Sequence, residues 1–215
     1  MTAQQLLLIA KAPVPGRVKT RLCPPCTPAQ AAAIAAASLA DTVDVLDTGP
    51  ACRRVIVLDG RYPTPAGWSA VPQRGDGLGE RLANAYADTA LPGTPSVLVG
   101  MDTPQLTRAH LTAAAGTLTG ADAVLGPASD GGWWLLGLND PAHGAVLADV
   151  PMSTPDTGAR TLAALRRLGL SVALLDTLRD VDTAADARAV AALRPHGRFA
   201  AAVAAQVPLT LAAPL

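Results

Sequence analysis

The densest group of chemically capable side chains lies near the N-terminus, where Lys11, Arg17, Lys19 and Arg21 surround Gly16. Cations combined with a glycine that admits backbone N–H groups are typical of a site for a di- or triphosphate. The segment matches neither the G-x-x-x-x-G-K-[ST] motif nor the G-x-G-x-x-G motif. A solvated basic turn is the alternative. Its position directly after an apolar run favours anion binding.

Carboxylates at two further places could hold a metal ion. Asp102 ends an apolar run, and Asp180 and Asp182 precede a predicted helix. Mg²⁺ and Mn²⁺ are hard ions that take one or two carboxylates together with phosphate oxygens. Asp102 and Asp182 are therefore the candidate metal ligands. For Asp102 the alternative is a helix cap, which Thr107 fills better, whereas Asp182 or Thr183 serves equally well as an N-cap.

Two glycine-rich segments can bring backbone close to a ligand. Gly75, Gly77 and Gly79 precede a predicted helix and can approach a flat base or sugar. Asp130-Gly131-Gly132 permits a tight turn under a ligand, although Asp-Gly is also among the commonest hairpin turns. Asp130 is the candidate general base if the reaction uses a hydroxyl acceptor. Lys19, Asp102 and Asp130 are the predicted catalytic residues.

Other patterns exclude some chemistry. There is no G-x-S-x-G elbow, and Cys52 has no nearby histidine, so nucleophilic hydrolysis is not indicated. Cys23 and Cys26 have redox or zinc-knuckle spacing, but no second pair of ligands completes a site. We predict that these cysteines are inert. The histidines lack metal-ligand spacing: His110, His143 and His196.

Strands and helices alternate along the chain, and the strands are solidly apolar. These features indicate a mostly parallel sheet covered on both faces. The predicted strands are Gln5–Ala10, Arg54–Leu58, Ser96–Met101, Ala121–Leu125, Trp133–Leu138 (in a different direction) and Ser171–Leu175. The predicted helices follow Thr27, Gly79 and Thr107, and span Thr157–Leu168 and Thr183–Leu193.

We predict a single α/β domain over residues 1–195, a three-layer αβα Rossmann-like fold with a mostly parallel central sheet. Residues 196–215 form a C-terminal segment for which a docked tail, a homo-oligomer contact and a disordered end stay open. In an open α/β sheet, ligands bind beyond the carboxyl ends of the strands. The basic loop, Asp102 and Asp130 each follow a predicted strand, so we expect them at one edge.

Composition narrows the partners. The chain has 215 residues with 17 Lys and Arg against 17 Asp and Glu, which excludes the basic footprint of a general nucleic-acid binder. No apolar run approaches the roughly 20 residues of a membrane span, and the N-terminus lacks the order of a signal peptide. We therefore predict a cytoplasmic protein that binds neither membrane nor nucleic acid. Lys11 and Lys19 are its only lysines.

Five motifs in order carry a resemblance that covers nearly the whole chain to about Leu193. The sequence resembles a bacterial glycosyltransferase-like family, also described as arsenosugar-biosynthesis-type, within the nucleotide-diphospho-sugar transferase superfamily of GT-A fold. Phospholactate guanylyltransferase, with its own K-T-R-L loop and D-G-G turn, is a related enzyme. The motifs are Lys11–Leu22, Gly75–Leu82, Gly100–Leu106, Gly126–Leu138 and Asp180–Thr183.

The resemblance implies a role for each segment. Lys11–Arg21 would bind nucleotide phosphates, and Gly75–Gly79 would lie near the base. Gly131 and Gly132 would lie under the nucleotide. Asp102 would ligate the metal, and Asp182 would match the second metal carboxylate of cytidylyltransferase-like relatives.

The implied function is metal-dependent glycosyl transfer from a nucleotide sugar to an unknown small-molecule acceptor, with Mg²⁺ or Mn²⁺. The first alternative is guanylyltransferase-like nucleotidyl transfer, which releases pyrophosphate from an NTP. Asp102 stands alone where glycosyltransferases usually carry D-x-D, and this favours the alternative. The second is a nucleotide-binding protein without turnover. Met152 and Trp133 stand where the family usually has Trp and Tyr, on the expected acceptor side.

Overall fold

The computed structural model describes residues 4–208, which form one seven-stranded sheet with helices on both faces. The predicted fold class is confirmed. The strands are β1 (Gln5–Lys11), β2 (Arg53–Asp59), β3 (Ser69–Pro72), β4 (Ser96–Gly100), β5 (Ala123–Pro127), β6 (Trp133–Leu138) and β7 (Val172–Leu174). The helices are α1 (Pro28–Thr48), α2 (Leu78–Thr89), α3 (Arg108–Thr117), α4 (Thr157–Arg167), α5 (Ala184–Leu193) and α6 (Arg198–Gln206). Short 3-10 segments cover Thr20–Leu22 and Pro141–Asp149.

The strand order is β3-β2-β1-β4-β6-β5-β7, and β6 runs antiparallel to both of its neighbours. The chain first builds outward from β1 through β2 to β3, and then returns to place β4 on the opposite side of β1. This reversal opens a crevice between the carboxyl ends of β1 and β4, which is where ligands bind in doubly wound sheets. The predicted change of direction at Trp133–Leu138 is confirmed.

Two apolar cores lie on the two faces of the sheet because alternate residues of each buried strand point to opposite sides. Leu6 and Leu8 of β1 belong to the cluster that also holds residues of α1 and α3. Leu7 belongs to the cluster that holds residues of α2 and α4. Burial of both faces explains why the strands are continuously apolar.

Three threonines begin helices as the sequence predicts. Thr27, Thr107 and Thr183 each accept a hydrogen bond from the backbone N–H three residues later, within a reciprocal capping box. Because Thr183 fills the N-cap position of α5, Asp182 is not needed there.

Helix α1 passes the length and composition test for a membrane span, and it is the one such helix among residues 4–208. In this fold 61% of its apolar window is buried within the protein. Its apolar residues are accounted for by packing against β1, α3 and α6.

Four elements were not predicted: β3, α6, and the 3-10 segments Thr20–Leu22 and Pro141–Asp149. Helix α6 lies in the C-terminal segment and packs on α1 and α5 through a third core cluster that includes Phe199 and Val203. Residues 209–215 of that segment lie outside the described residues.

The docking of α6 depends on a buried carboxylate. Asp41 of α1 is 5% exposed, and its two oxygens accept hydrogen bonds from the backbone N–H groups of Arg198 and Phe199 at the start of α6. These are two of the four N–H groups that a helix leaves without an internal partner.

We expect Asp41→Ala to lower the free energy of unfolding by about 1–3 kcal/mol, because it leaves one buried and one partly buried N–H donor unpaired. Asp44→Ala is the matched control: Asp44 also pairs with Arg198 but is exposed, so its loss should change stability by less than about 0.5 kcal/mol. Urea unfolding of both variants measures the difference. Equal effects would contradict the capping role.

Candidate functional site

A cleft of about 790 Å³ lies at the carboxyl ends of the strands, over the crevice between β1 and β4. Residues from β1, β4, β6 and the segments that follow β3 and β7 line it. Eight of the residues singled out in the sequence are among them: Lys11, Arg17, Lys19, Arg21, Asp102, Asp130, Gly132 and Asp182. The others singled out do not line it: Gly16, Gly75, Gly77, Gly79 and Gly131.

Lys19 is the most buried charge of the cleft, with a side chain only 6% exposed. Its Nζ lies 2.7 Å from Oδ1 of Asp102 and 3.9 Å from Oδ1 of Asp182, and it donates a hydrogen bond to the carbonyl oxygen of Val181. The Lys19 backbone has a φ of 49°, in the left-handed region that non-glycine residues seldom adopt. The ammonium group therefore joins the basic loop to two carboxylates, a contact that sequence reasoning did not find.

The remaining cationic side chains of the loop differ in whether they form ion pairs with carboxylates. Nη1 of Arg21 lies 2.6 Å from Oδ2 of Asp182, and Nζ of Lys11 lies 3.8 Å from Oδ2 of Asp59. Arg17 is exposed and makes no ion pair within the described residues. Arg17 and Lys11 are therefore the cations of this loop that an incoming anion could engage without displacing a short ion pair.

Three carboxylates converge in the cleft next to the basic loop. Oxygen atoms of Asp130, Asp180 and Asp182 all lie within 4.8 Å of one another. Partial burial, followed by the negative charges of Asp130 and Asp182, raises the pKa of Asp180 to about 6. Like charges this close repel one another, and a divalent cation would relieve that repulsion. The oxygen donor set suits Mg²⁺ or Mn²⁺.

Asp102 and Asp182 were singled out together as metal ligands, and in the structure they share Lys19 as a neighbour but differ in their other contacts. Asp182 joins the acidic triad, whereas Asp102 is held by Lys19 and lies outside that triad. Asp180 belongs to the triad but was not among the predicted ligands. The D-V-D spacing of Asp180 and Asp182 is the sequence signal that points to it. The backbone N–H of Val181 donates to the carbonyl of Asp102 at 2.9 Å, which ties the two segments together.

The turn at Asp130-Gly131-Gly132 holds the Asp130 carboxylate in place. Oδ1 of Asp130 accepts a hydrogen bond of 2.7 Å from the Gly132 N–H. Gly131 has a φ of 91°, and a Cβ there would overlap the Pro155 carbonyl. The Gly158 N–H donates to the Gly131 carbonyl at 2.8 Å. The start of α4 therefore fixes the turn that carries Asp130.

The glycines at 75, 77 and 79 shape the start of α2 and do not face the cleft. A Cβ on Gly79 would come within 2.5 Å of the Leu147 carbonyl, so this glycine permits close packing of α2 on the 3-10 segment Pro141–Asp149. Gln73 and Arg81 flank this stretch and do line the cleft, and sequence reasoning missed both. Arg81 donates to the Gly75 carbonyl and to Asp59, each at 3.1 Å.

The two adjacent tryptophans both border the cleft and differ in how deeply they are buried. Trp134 is 3% exposed, packs in the core, and donates its indole N–H to the Asp176 carbonyl at 3.0 Å. Trp133 is only partly buried and lines the cleft together with Met152. Trp133 and Met152, the two residues expected to depart from the family pattern, therefore line the same cleft.

A cleft at the switch point of a mostly parallel sheet is the architecture of the nucleotide-diphospho-sugar transferase superfamily, a class of transferases. A family profile described as "Uncharacterized protein conserved in bacteria (DUF2064)" matches residues 31–154, more than half of the chain. The chain belongs to the DUF2064 family. Among curated proteins, none matches it significantly.

Solved structures share the fold. A protein of Desulfovibrio desulfuricans G20, provisionally named as a nucleotide-diphospho-sugar transferase, is 27% identical over 95% of both chains, with a TM-score of 0.84. The manganese complex of Rv0371c from Mycobacterium tuberculosis H37Rv is 22% identical over 88% of this chain and 98% of that chain, with a TM-score of 0.56. CMP:2-keto-3-deoxy-manno-octonic acid synthetase, complexed with CTP, is 12% identical over 90% and 99%, with a TM-score of 0.52.

We expect Gly131→Ala to destabilise the protein by about 2–4 kcal/mol, because it combines an unfavourable φ with overlap of the Pro155 carbonyl. Gly67→Ala is the matched control. Gly67 also has a positive φ, 78°, but a Cβ there meets no atom within 4 Å, so its cost should stay near 1 kcal/mol. Chemical denaturation compares the two variants, and equal losses would show that the Pro155 contact does not constrain the turn.

Proposed function

We propose that this protein is a metal-dependent transferase that moves a sugar from a nucleotide sugar to a small-molecule acceptor. The observation that carries the proposal is the meeting of the basic loop and the acidic triad across one cleft, at the switch point of the sheet. Glycosyl transfer leaves a nucleoside diphosphate, so negative charge grows on a diphosphate. Cations and a metal that are fixed beforehand would stabilise that charge.

The proposed metal site consists of Asp130, Asp180 and Asp182, with Mg²⁺ or Mn²⁺ as the ion. The chemistry of the donor set supports this assignment, because three clustered carboxylates favour a hard divalent cation. Such an ion would bridge the triad to phosphate oxygens and act as a Lewis acid on the leaving diphosphate. Asp102 would then help to position Lys19.

The side chains of the basic loop would bind the donor phosphates. Arg17 makes no ion pair within the described residues, and Lys11 lies 3.8 Å from Asp59, so both can move onto a ligand without breaking a short ion pair. Lys19 already holds Asp102 and Val181, so its proposed contribution is to fix the loop against the metal segment. This arrangement supplies charge without reorganisation at the moment of reaction.

Asp130 can serve as a metal ligand or as a general base for a hydroxyl acceptor. Its Oδ1 is bonded to the Gly132 N–H, and its Oδ2 makes no hydrogen bond within the described residues. That one oxygen cannot hold the ion and take a proton in the same step. The two roles predict different effects of an Asp130 substitution on the affinity for the metal ion.

A second candidate is nucleotidyl transfer, in which an acceptor phosphate attacks the α-phosphorus of an NTP and pyrophosphate leaves. The specific observation in its favour is that Asp102 is the only carboxylate directly after β4, without the D-x-D of many glycosyltransferases. The resemblances to arsenosugar-type glycosyltransferases and to phospholactate guanylyltransferase divide between the two chemistries. We further propose that residues 1–195 form the catalytic domain, that the protein is cytoplasmic, and that it binds no nucleic acid.

We expect Asp180→Asn and Asp182→Asn each to weaken Mn²⁺ binding by roughly tenfold or more, because each removes a ligand charge. Asp149→Asn is the control, since Asp149 is exposed and outside the cleft. Calorimetry with Mn²⁺ measures all three. Asp130→Asn separates its two roles: a ligand role lowers Mn²⁺ affinity, and a base role leaves the affinity unchanged and abolishes turnover.

We expect a panel of nucleotide sugars with Mn²⁺ to release a nucleoside diphosphate, with the rate rising when an acceptor is added. Release of pyrophosphate from NTPs, without nucleoside diphosphate from sugars, would instead establish nucleotidyl transfer. Binding of nucleotides with neither product would indicate a binding protein. Separation of products by anion-exchange chromatography distinguishes the three outcomes.

A further inference from the structure

The cleft has a cationic half and a half without cations. The sheet order places β1, β2 and β3 on one side of β4, and β6, β5 and β7 on the other. The basic residues that line the cleft come from the loop after β1 and from α2. None of the described lining residues between Ala128 and Thr157 is Lys, Arg or His. We call this second half the β6 side, formed by Asp130, Trp133, Met152, Ser153 and Thr154.

The charges of the cleft provide no excess positive charge to bind a second anionic substrate. Five basic and six acidic side chains line it, a formal charge of −1. The basic residues are Lys11, Arg17, Lys19, Arg21 and Arg81; the acidic ones are Asp59, Asp76, Asp102, Asp130, Asp180 and Asp182. A bound divalent ion would change the formal charge of the cleft from −1 to +1. The negative charge of the donor's diphosphate alone is larger than this remaining positive charge.

Most of the cations are already paired with carboxylates. Lys19 and Arg21 lie against Asp102 and Asp182, at 2.7 and 2.6 Å. Arg81 lies 3.1 Å from Asp59. A phosphate or carboxylate on the β6 side would therefore lie beside the carboxylate of Asp130, with no Lys, Arg or His among the described lining residues of that side to pair with it, and like charges this close repel one another.

The β6 side instead offers an aromatic surface and uncharged groups. Trp133 and Met152 are both partly buried, line the cleft and pack against the same core cluster. The Thr154 hydroxyl already donates to Asp156, at 2.6 Å. Ser153 is exposed, and its φ of 59° places it on a tight bend of the same wall. Pockets with an apolar wall and a few polar groups select compact uncharged ligands, and an indole face suits the C–H face of a saturated ring.

We propose that the acceptor is an uncharged polyhydroxylated ring, carrying neither phosphate nor carboxylate, that lies on Trp133 with one hydroxyl directed at Asp130. This inference depends on the proposed function, whose acceptor class it names, and it assigns Asp130 the role of general base, which leaves Asp180 and Asp182 as the metal ligands. The acceptor oxygen forms the new bond to the anomeric carbon. The bond from that carbon to the diphosphate breaks, and its electron pair stays on the diphosphate. The hydroxyl proton passes to Asp130 and then to solvent.

The test compares the binding of two probes to the full chain by saturation-transfer NMR. The probes are methyl α-D-glucopyranoside and glucose 6-phosphate. The sample contains UDP, and Mg²⁺ in place of Mn²⁺. We expect the neutral probe to bind about tenfold more tightly. Trp133→Leu should weaken the neutral probe by about tenfold, and Trp133→Phe should retain most of its binding. Trp68→Phe, which alters a core tryptophan outside the cleft, is the control.

Ser153→Lys gives an independent readout, because it adds a cation to an exposed position and leaves the aromatic wall intact. We expect this variant to shift preference toward glucose 6-phosphate. Tighter binding of the phosphorylated probe to the unaltered protein would overturn the proposal, as would no binding of either probe or a Trp133→Leu variant that binds normally.

The failure of this inference differs from the failure of the proposed function. If nucleotide sugars are consumed but phosphorylated acceptors are preferred, the acceptor class is wrong and the glycosyl transfer stands. If the neutral probe binds on Trp133 but no nucleotide sugar is consumed or bound, the ring site stands and the proposed function is wrong.

Discussion

The buried ammonium group of Lys19 is the interaction on which the rest of the site depends. A charge that is 6% exposed is stable only when oxygen atoms surround it, and here Asp102, Asp182 and the Val181 carbonyl do so. These partners come from segments far apart in the sequence, so one side chain fixes the loop after β1 against β4 and against the segment before α5. A compact ammonium fits this enclosure, whereas the planar fork of arginine would not. This gives a structural reason for a lysine in a chain whose other cations are almost all arginine.

The fold makes this arrangement available through its topology. Because β4 returns to the opposite side of β1, the loops after these strands diverge and leave a crevice. The reversed strand β6 then begins at the same edge, which brings the D-G-G turn and Trp133 to the far wall. Tight packing of the turn against Pro155 and Gly158 holds that wall in place. The two walls are thus built from different parts of the sheet, and the basic residues of the cleft lie on only one of them.

The structural elements that the sequence predicts well are those determined by burial and by contacts between residues close in the sequence. The strands β1, β2 and β4 are buried on both faces, and Thr27, Thr107 and Thr183 cap helices through contacts only three residues away. Strand β3 was missed because it is short, mostly exposed and ends in Pro72. Helix α6 was missed because its start is stabilised by Asp41, more than 150 residues earlier. Asp180 was missed as a triad member for the same reason: its proximity to Asp130 exists only after folding.

The single carboxylate directly after β4, Asp102, distinguishes glycosyl from nucleotidyl transfer less well than the sequence alone indicates. In a D-x-D motif, two carboxylates come from one short segment. Here the segment before α5 is tied to Asp102 by the Val181 N–H and by Lys19, and it brings Asp180 and Asp182 to the same cleft. A full set of carboxylates can therefore assemble without D-x-D, so the absence of that motif favours nucleotidyl transfer without deciding between the two reactions. What separates the two chemistries is the other substrate, because a phosphate acceptor requires cations of its own. The charge on the β6 side therefore bears on the reaction more directly than the motif does.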